Sequence, residues 1–197
     1  MPDTPELPTR DDLKQLPLGA IVAYAVRCAR RVQPLYRRAA GIAELPKHEA
    51  AVQGAISLAE EFCLSHVVGA AAYDAAYHAR TAAGTADAKD AARAAAAAAR
   101  AAAYAFDLPK SAVYDRPVYA SRVAAEAADG AEAAARAAAH ASDGARIAEA
   151  AARADFNRLR ELNPGTYPKL GQPIDPTENG PLGPLWPEGP PTWYAGM

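Results

Sequence analysis

The chain has 197 residues, 21 basic and 23 acidic, for a formal net charge of −2. That length suits one domain with a tail, and the near-neutral balance argues against a dedicated nucleic-acid binder, which carries a basic domain. About half of the 51% apolar fraction is alanine, and Leu, Ile, Val and Phe stay below the roughly 20% that usually fills a core, so the composition predicts helices packed closely on small side chains.

Residues 1–15 carry Pro2, Pro5 and Pro8 and read as a loose leader. They show no basic stretch followed by an apolar one, which predicts a cytoplasmic protein. From Leu16 the text becomes helical, with Pro17 suited to a first turn. Val22, Ala25, Val26, Ala29, Val32 and Tyr36 recur at helical spacing and form one face. Arg27, Arg30, Arg31, Arg37 and Arg38 fall on the opposite arc, which an amphipathic helix turns to solvent. Pro34 should kink this helix.

A turn at 41–46 precedes a second helix over 47–63, whose inner face is Val52, Ala55, Ile56, Ala59, Phe62 and Cys63. Ser65 is placed to cap a third helix reaching 82, bearing Val67, Ala70, Tyr73, Ala76 and Tyr77. Gly84 ends it and Thr85 caps the fourth, where Asp87 and Asp90 complement the dipole. That fourth helix, to about 106, is mostly alanine, the strongest helix former. Arg93 and Arg100 interrupt its alanine run, so it does not read as a membrane span.

A loop at 109–117 leads to a fifth helix from Pro117 to about 141. A sixth follows over 144–162, with Ile147, Ala151, Ala154, Leu159 and Leu162 leaning inward. The echo of Asp129-Gly130-Ala131 in Asp143-Gly144-Ala145 leaves one continuous helix open, although Ser142-Asp143-Gly144 favours a break. The last 35 residues hold nine prolines and six glycines and cannot be helical. They also hold Trp186 and Trp193, the chain's two tryptophans, which predicts either an extended strap over the helices or an anchor for a partner. The predicted fold is therefore all-α: an alanine-rich bundle of five or six helices over 16–162, with an extended Pro/Gly/Trp-rich C-terminal strap over 163–197.

No catalytic, cofactor-binding or metal constellation is legible. Cys28 and Cys63 form no CxxC pair, and they read as buried thiols. Glu-x-x-His repeats, a Gly-x-Ser-x-Gly elbow and a phosphate-cradling glycine loop are all missing from the sequence. Two constellations remain. The arginine stripe, Arg27, Arg30, Arg31 and Arg38, reads as a solvated face partly bridged to Glu49, Glu60 or Glu61 of the second helix or, with Trp186 and Trp193, as a docking surface for an acidic protein or for phosphates. Alternatively Tyr73, Asp74, Tyr77 and His78, four apart on one helix, could line a pocket of a ligand binder or enzyme.

The run Val26-Arg27-Cys28-Ala29-Arg30-Arg31-Val32-Gln33-Pro34-Leu35-Tyr36 resembles the opening helix of the Imm-5-like immunity proteins, a bacterial family with a Cys-Ala-x-x-Val-x-Pro-Leu-aromatic run there. Residues 48–61 are similar to its second helix, and 70–106 are similar in style to its later ones. The resemblance implies a protein that protects a cell from a cognate toxin, with no catalytic residue to carry over. Sequence and resemblance together lead to a non-enzymatic interaction module whose partner is a toxin or a second copy of the chain, with an oligomeric scaffold as a further alternative.

Overall fold

The structure is a computed structural model that describes residues 6–38, 45–67, 71–82, 86–107, 116–139 and 144–194. Among these residues it is all-helical, with seven α-helices and no strand. They are α1 (Arg10–Leu13), α2 (Leu18–Arg38), α3 (Leu45–Ser65), α4 (Ala71–Thr81), α5 (Ala86–Asp107), α6 (Arg116–Ala139) and α7 (Gly144–Leu162). The count exceeds the five or six read from the sequence because the leader contains a one-turn helix. Thr9 and Asp12 close it as a capping box, with the Asp12 N–H donating to Thr9 Oγ1 at 3.1 Å and the Thr9 N–H donating to Asp12 Oδ2 at 2.9 Å. It buries Leu13 and packs on α6.

Alanine decides the centre. Helix α5 packs against α2, α3, α4 and α6, and twelve of its alanines are buried, from Ala91 to Ala105. A helix with hardly more than methyl groups around its girth can be approached from several sides, which a leucine-rich helix would prevent. The approach to α6 is close: a Cβ built on Gly130 would lie 3.2 Å from the Ala97 Cβ. Arg100 to Glu126 and Asp90 to Arg136 pair in falling register, so α5 and α6 run antiparallel.

Helix α3 buries the six residues read as its inner face. Its ends differ from expectation. It starts at Leu45, with Pro46 in the first turn where a missing N–H is tolerated. Ser65 closes it instead of opening the next helix: its hydroxyl donates to the Glu61 carbonyl at 2.8 Å. Helix α2 continues through Pro34. The turn at 41–44, Gly84 and Thr85, the loop at 109–115 and the break at 140–143 lie outside the described residues, as do the side chains of Arg37 and Arg38.

Residues 163–194 run without helix across the bundle. The first two N–H groups of α2, Leu18 and Gly19, have no partner within a helix. They donate to the carbonyls of Lys169 and Leu170 at 2.8 and 2.9 Å. Gly19 is needed for this approach, since a Cβ there would meet the Leu170 oxygen at 3.0 Å and the His66 ring at 2.8 Å. Farther on, the Ile174 N–H donates to the Cys63 carbonyl at 2.9 Å. Trp186, Trp193 and Tyr194 then form an edge-to-face cluster with centroids 5.5 to 6.1 Å apart, both indoles being buried.

Candidate functional site

The arginine stripe of α2 does not lie on one surface. Arg27 and Arg31 are 0% and 1% exposed, among the largest fully buried side chains of the protein. The arc opposite the valines is covered by α7 and the C-terminal segment, so α2 is enclosed on both sides and an amphipathic reading fails. Asp155 of α7 is the counter-ion for both: its Oδ2 lies 2.9 Å from Arg27 Nε and 2.5 Å from Arg31 Nη2. One carboxylate cannot balance two guanidiniums, and backbone carbonyls accept from others of their N–H groups, though not from Arg31 Nη1. Arg27 donates to Pro176, Gly183 and Pro184 at 3.3, 3.0 and 2.7 Å. Arg31 donates to Leu185 at 2.8 Å and to Ala151 at 3.3 Å, with Trp186 5.7 Å from its guanidinium.

This centre is closed to partners and poorly suited to chemistry. Burial pushes the neighbouring Cys28 thiol up to about 11 and raises the Tyr24 phenol, so neither supplies an anionic nucleophile at neutral pH. Cys63 is shifted upward by burial as well. Among the described residues, no group of three or more His, Cys, Asp or Glu side chains could hold a metal ion. No described helix is long and apolar enough to cross a membrane.

Arg30 differs from its neighbours. It is half-buried and grips Glu60 of α3 with two bonds of 2.7 and 2.5 Å, so its role is to join α2 to α3. Trp186 and Trp193, read as possible anchors, are 5% and 7% exposed. Of the six residues read as a partner surface, four are therefore enclosed, one is engaged by a neighbouring helix, and the Arg38 side chain lies outside the described residues.

Nor do Tyr73, Asp74, Tyr77 and His78 converge on a cavity. All four sit on the outer face of α4. Tyr77 is 66% exposed, with His78 edge-on to its ring at 5.7 Å. Tyr73 donates to Asp107 at 2.9 Å and meets Tyr104 edge-on at 5.8 Å. Burial and the Asp107 carboxylate both raise its phenol. Tyr104 and Tyr119 continue the aromatic row, with the Arg122 guanidinium 5.4 and 5.8 Å from their ring centres.

The open site lies one step along the same helices. A groove of about 480 Å³ is lined by Arg80 of α4, by Lys89, Arg93, Ala96 and Arg100 of α5, and by Glu126 and Asp129 of α6. Residues 89, 93, 96 and 100 form one stripe of α5 by helical spacing, and Ala96 in the middle leaves room between longer neighbours. Arg100 and Glu126 are paired at 2.7 Å. Burial raises the Glu126 carboxyl above its usual range although Arg100 pulls it the other way. Arg80, Lys89 and Arg93 are exposed, and none has a carboxylate within 4.0 Å among the described residues. Sequence reasoning passed over this cluster because its members come from three helices and each alone reads as a solvated charge. The signal available was the Lys89, Arg93, Arg100 spacing on a helix otherwise made of alanine. No protein family, curated protein or solved structure matches the chain.

Proposed function

We propose that this chain is a helical binding protein whose site is the groove between α4, α5 and α6, and that it holds a charged small ligand there without transforming it. The observation that carries the reading is the groove itself: about 480 Å³, with four cations and two carboxylates drawn from three helices. That volume falls within the few hundred cubic ångströms typical of small-molecule sites. Alanine surfaces of α5 and α6 are already covered within one chain, so the groove is the surface we assign to binding. On this reading the C-terminal segment is a strap that completes the core, supported by its carbonyl bonds to Arg27 and Arg31 and by its enclosed indoles. A thermal-shift survey of anionic, cationic and neutral small molecules tests the reading against an Arg80→Glu/Arg93→Glu variant. At least one compound should stabilise the wild type and not the variant. Identical responses of the two proteins across the survey would sink it.

A second reading rests on residues 26–36, whose resemblance to Imm-5-like immunity proteins supports a cytoplasmic bacterial role in neutralising a toxin. Co-expression with the products of the genes beside its own tests this: one of them should be toxic alone and tolerated in the presence of the chain, and the absence of any such product removes the reading.

A further inference from the structure

The charge and shape of the α4–α5–α6 groove allow its ligand to be narrowed, and the narrowing rests on the binding reading above. Arg100 pairs with Glu126, on which Arg80 also acts, and among the described lining residues four cations against Glu126 and Asp129 leave a formal excess of two positive charges. Of Arg80, Lys89 and Arg93, two are arginines, whose planar fork matches an oxyanion by paired donors. A phosphate monoester carries about −1.5 to −2 charge at neutral pH and three acceptor oxygens, so it matches both the excess charge and the number of unpaired cations. A monocarboxylate offers half the charge. Free inorganic phosphate would leave most of a 480 Å³ groove unfilled, which leaves room for the rest of a larger molecule.

We infer that the groove takes a small molecule carrying a phosphate monoester, its phosphate held by Arg80, Lys89 and Arg93. The contacts needed are charge-assisted bonds at the rim with the body of the ligand against α5. Helix α4 contributes Arg80 from its last turn, so the site depends on α4 lying alongside α5.

Calorimetric titration of the full chain with glycerol phosphate, a nucleoside monophosphate, inorganic phosphate and succinate tests this at constant ionic strength. At least one monoester should bind saturably and more tightly than inorganic phosphate or succinate. Arg93→Ala and Arg80→Ala should each weaken it by about tenfold or more, the usual effect of deleting one charged hydrogen-bond partner. Arg146→Ala, an exposed cation on α7, should leave it unchanged. Succinate or inorganic phosphate binding as tightly as either monoester overturns the monoester assignment while the groove still binds. A loss in Arg146→Ala equal to that in Arg93→Ala overturns it too, because the attraction is then diffuse charge. If no anion binds saturably and the survey finds no compound dependent on Arg80 and Arg93, this inference and the binding reading fall together.

Discussion

Arginine plays opposite parts on the two sides of this molecule. Beside α7 and the C-terminal segment, Arg27 and Arg31 are buried and fastened to Asp155 and four tail carbonyls. Beside α4 and α6, Lys89 and Arg93 of α5 stand at the same four-residue spacing and are exposed. The difference lies in what is opposite. An extended segment presents unpaired carbonyls, which can solvate a guanidinium away from water; a neighbouring helix has committed its carbonyls to its own bonds and offers less, α7 giving Arg31 one carbonyl, that of Ala151, at 3.3 Å. Burial of a charge here is thus decided by the secondary structure of its neighbour as much as by its own helix.

The sharpest way to break that contrast is Asp155→Ala, which leaves two buried guanidiniums with carbonyls alone. Removing one partner of a buried ion pair costs on the order of 3–5 kcal/mol, so urea melts should show a loss of that size; a change under about 1 kcal/mol would mean the carbonyls suffice. Next in size is Ala97→Leu, placed against Gly130 of α6 where a Cβ would already lie within 3.2 Å. Overpacking of such a site costs about 1–3 kcal/mol, and an unchanged midpoint would show that α5 and α6 can separate without loss. Arg93→Ala should alter stability by no more than about 0.5 kcal/mol, as for an exposed residue without a structural partner; a larger loss would place it on the structural side of the comparison.

The smallest effect is a pH dependence at His66, which follows the end of α3 and lies beside Gly19. Burial holds its imidazole below the usual value of 6.5. Above that value both folded and unfolded states are neutral and the contribution to stability is complete. As pH falls through it the unfolded chain takes up the proton first, so stability declines. His66→Asn, which tolerates the positive φ of 57° at this position, should flatten the slope between pH 7 and 5 in thermal melts. An unchanged slope would assign it to other groups.

The helices were legible because their causes are local. The alanine run, the spacing of Val52 to Cys63 and the glycines and prolines between segments each act within a few residues, and α3 buries the six side chains its periodicity marks. Arg27 and Arg31 were misjudged because periodicity assumes one buried face, whereas α2 is covered on two. Asp155 was the one available hint: a carboxylate on the stripe of Ala148, Ala151, Ala152 and Leu159 that α7 turns inward. The carbonyls that complete its site leave no trace in a sequence, since every residue has one. Tyr73 and Tyr77 stand as candidates to line a pocket by their spacing, yet α4 buries only Ala72, Ala76 and Ala79; a methyl-lined contact on α5 leaves larger rings outside. The charged groove needed three helices to be placed together before any of its residues stood out.

Both indoles of the chain belong to the extended segment, and none to the helices. Intrinsic emission on excitation at the red edge of the spectrum, where tyrosine does not absorb, therefore watches the docking of residues 163–194 by itself, while far-ultraviolet dichroism watches the rods beneath. The protein carries its own two-colour readout: if the two signals part company during denaturation, the ribbon lifts before the bundle melts, and if they coincide the molecule comes apart as one cooperative unit.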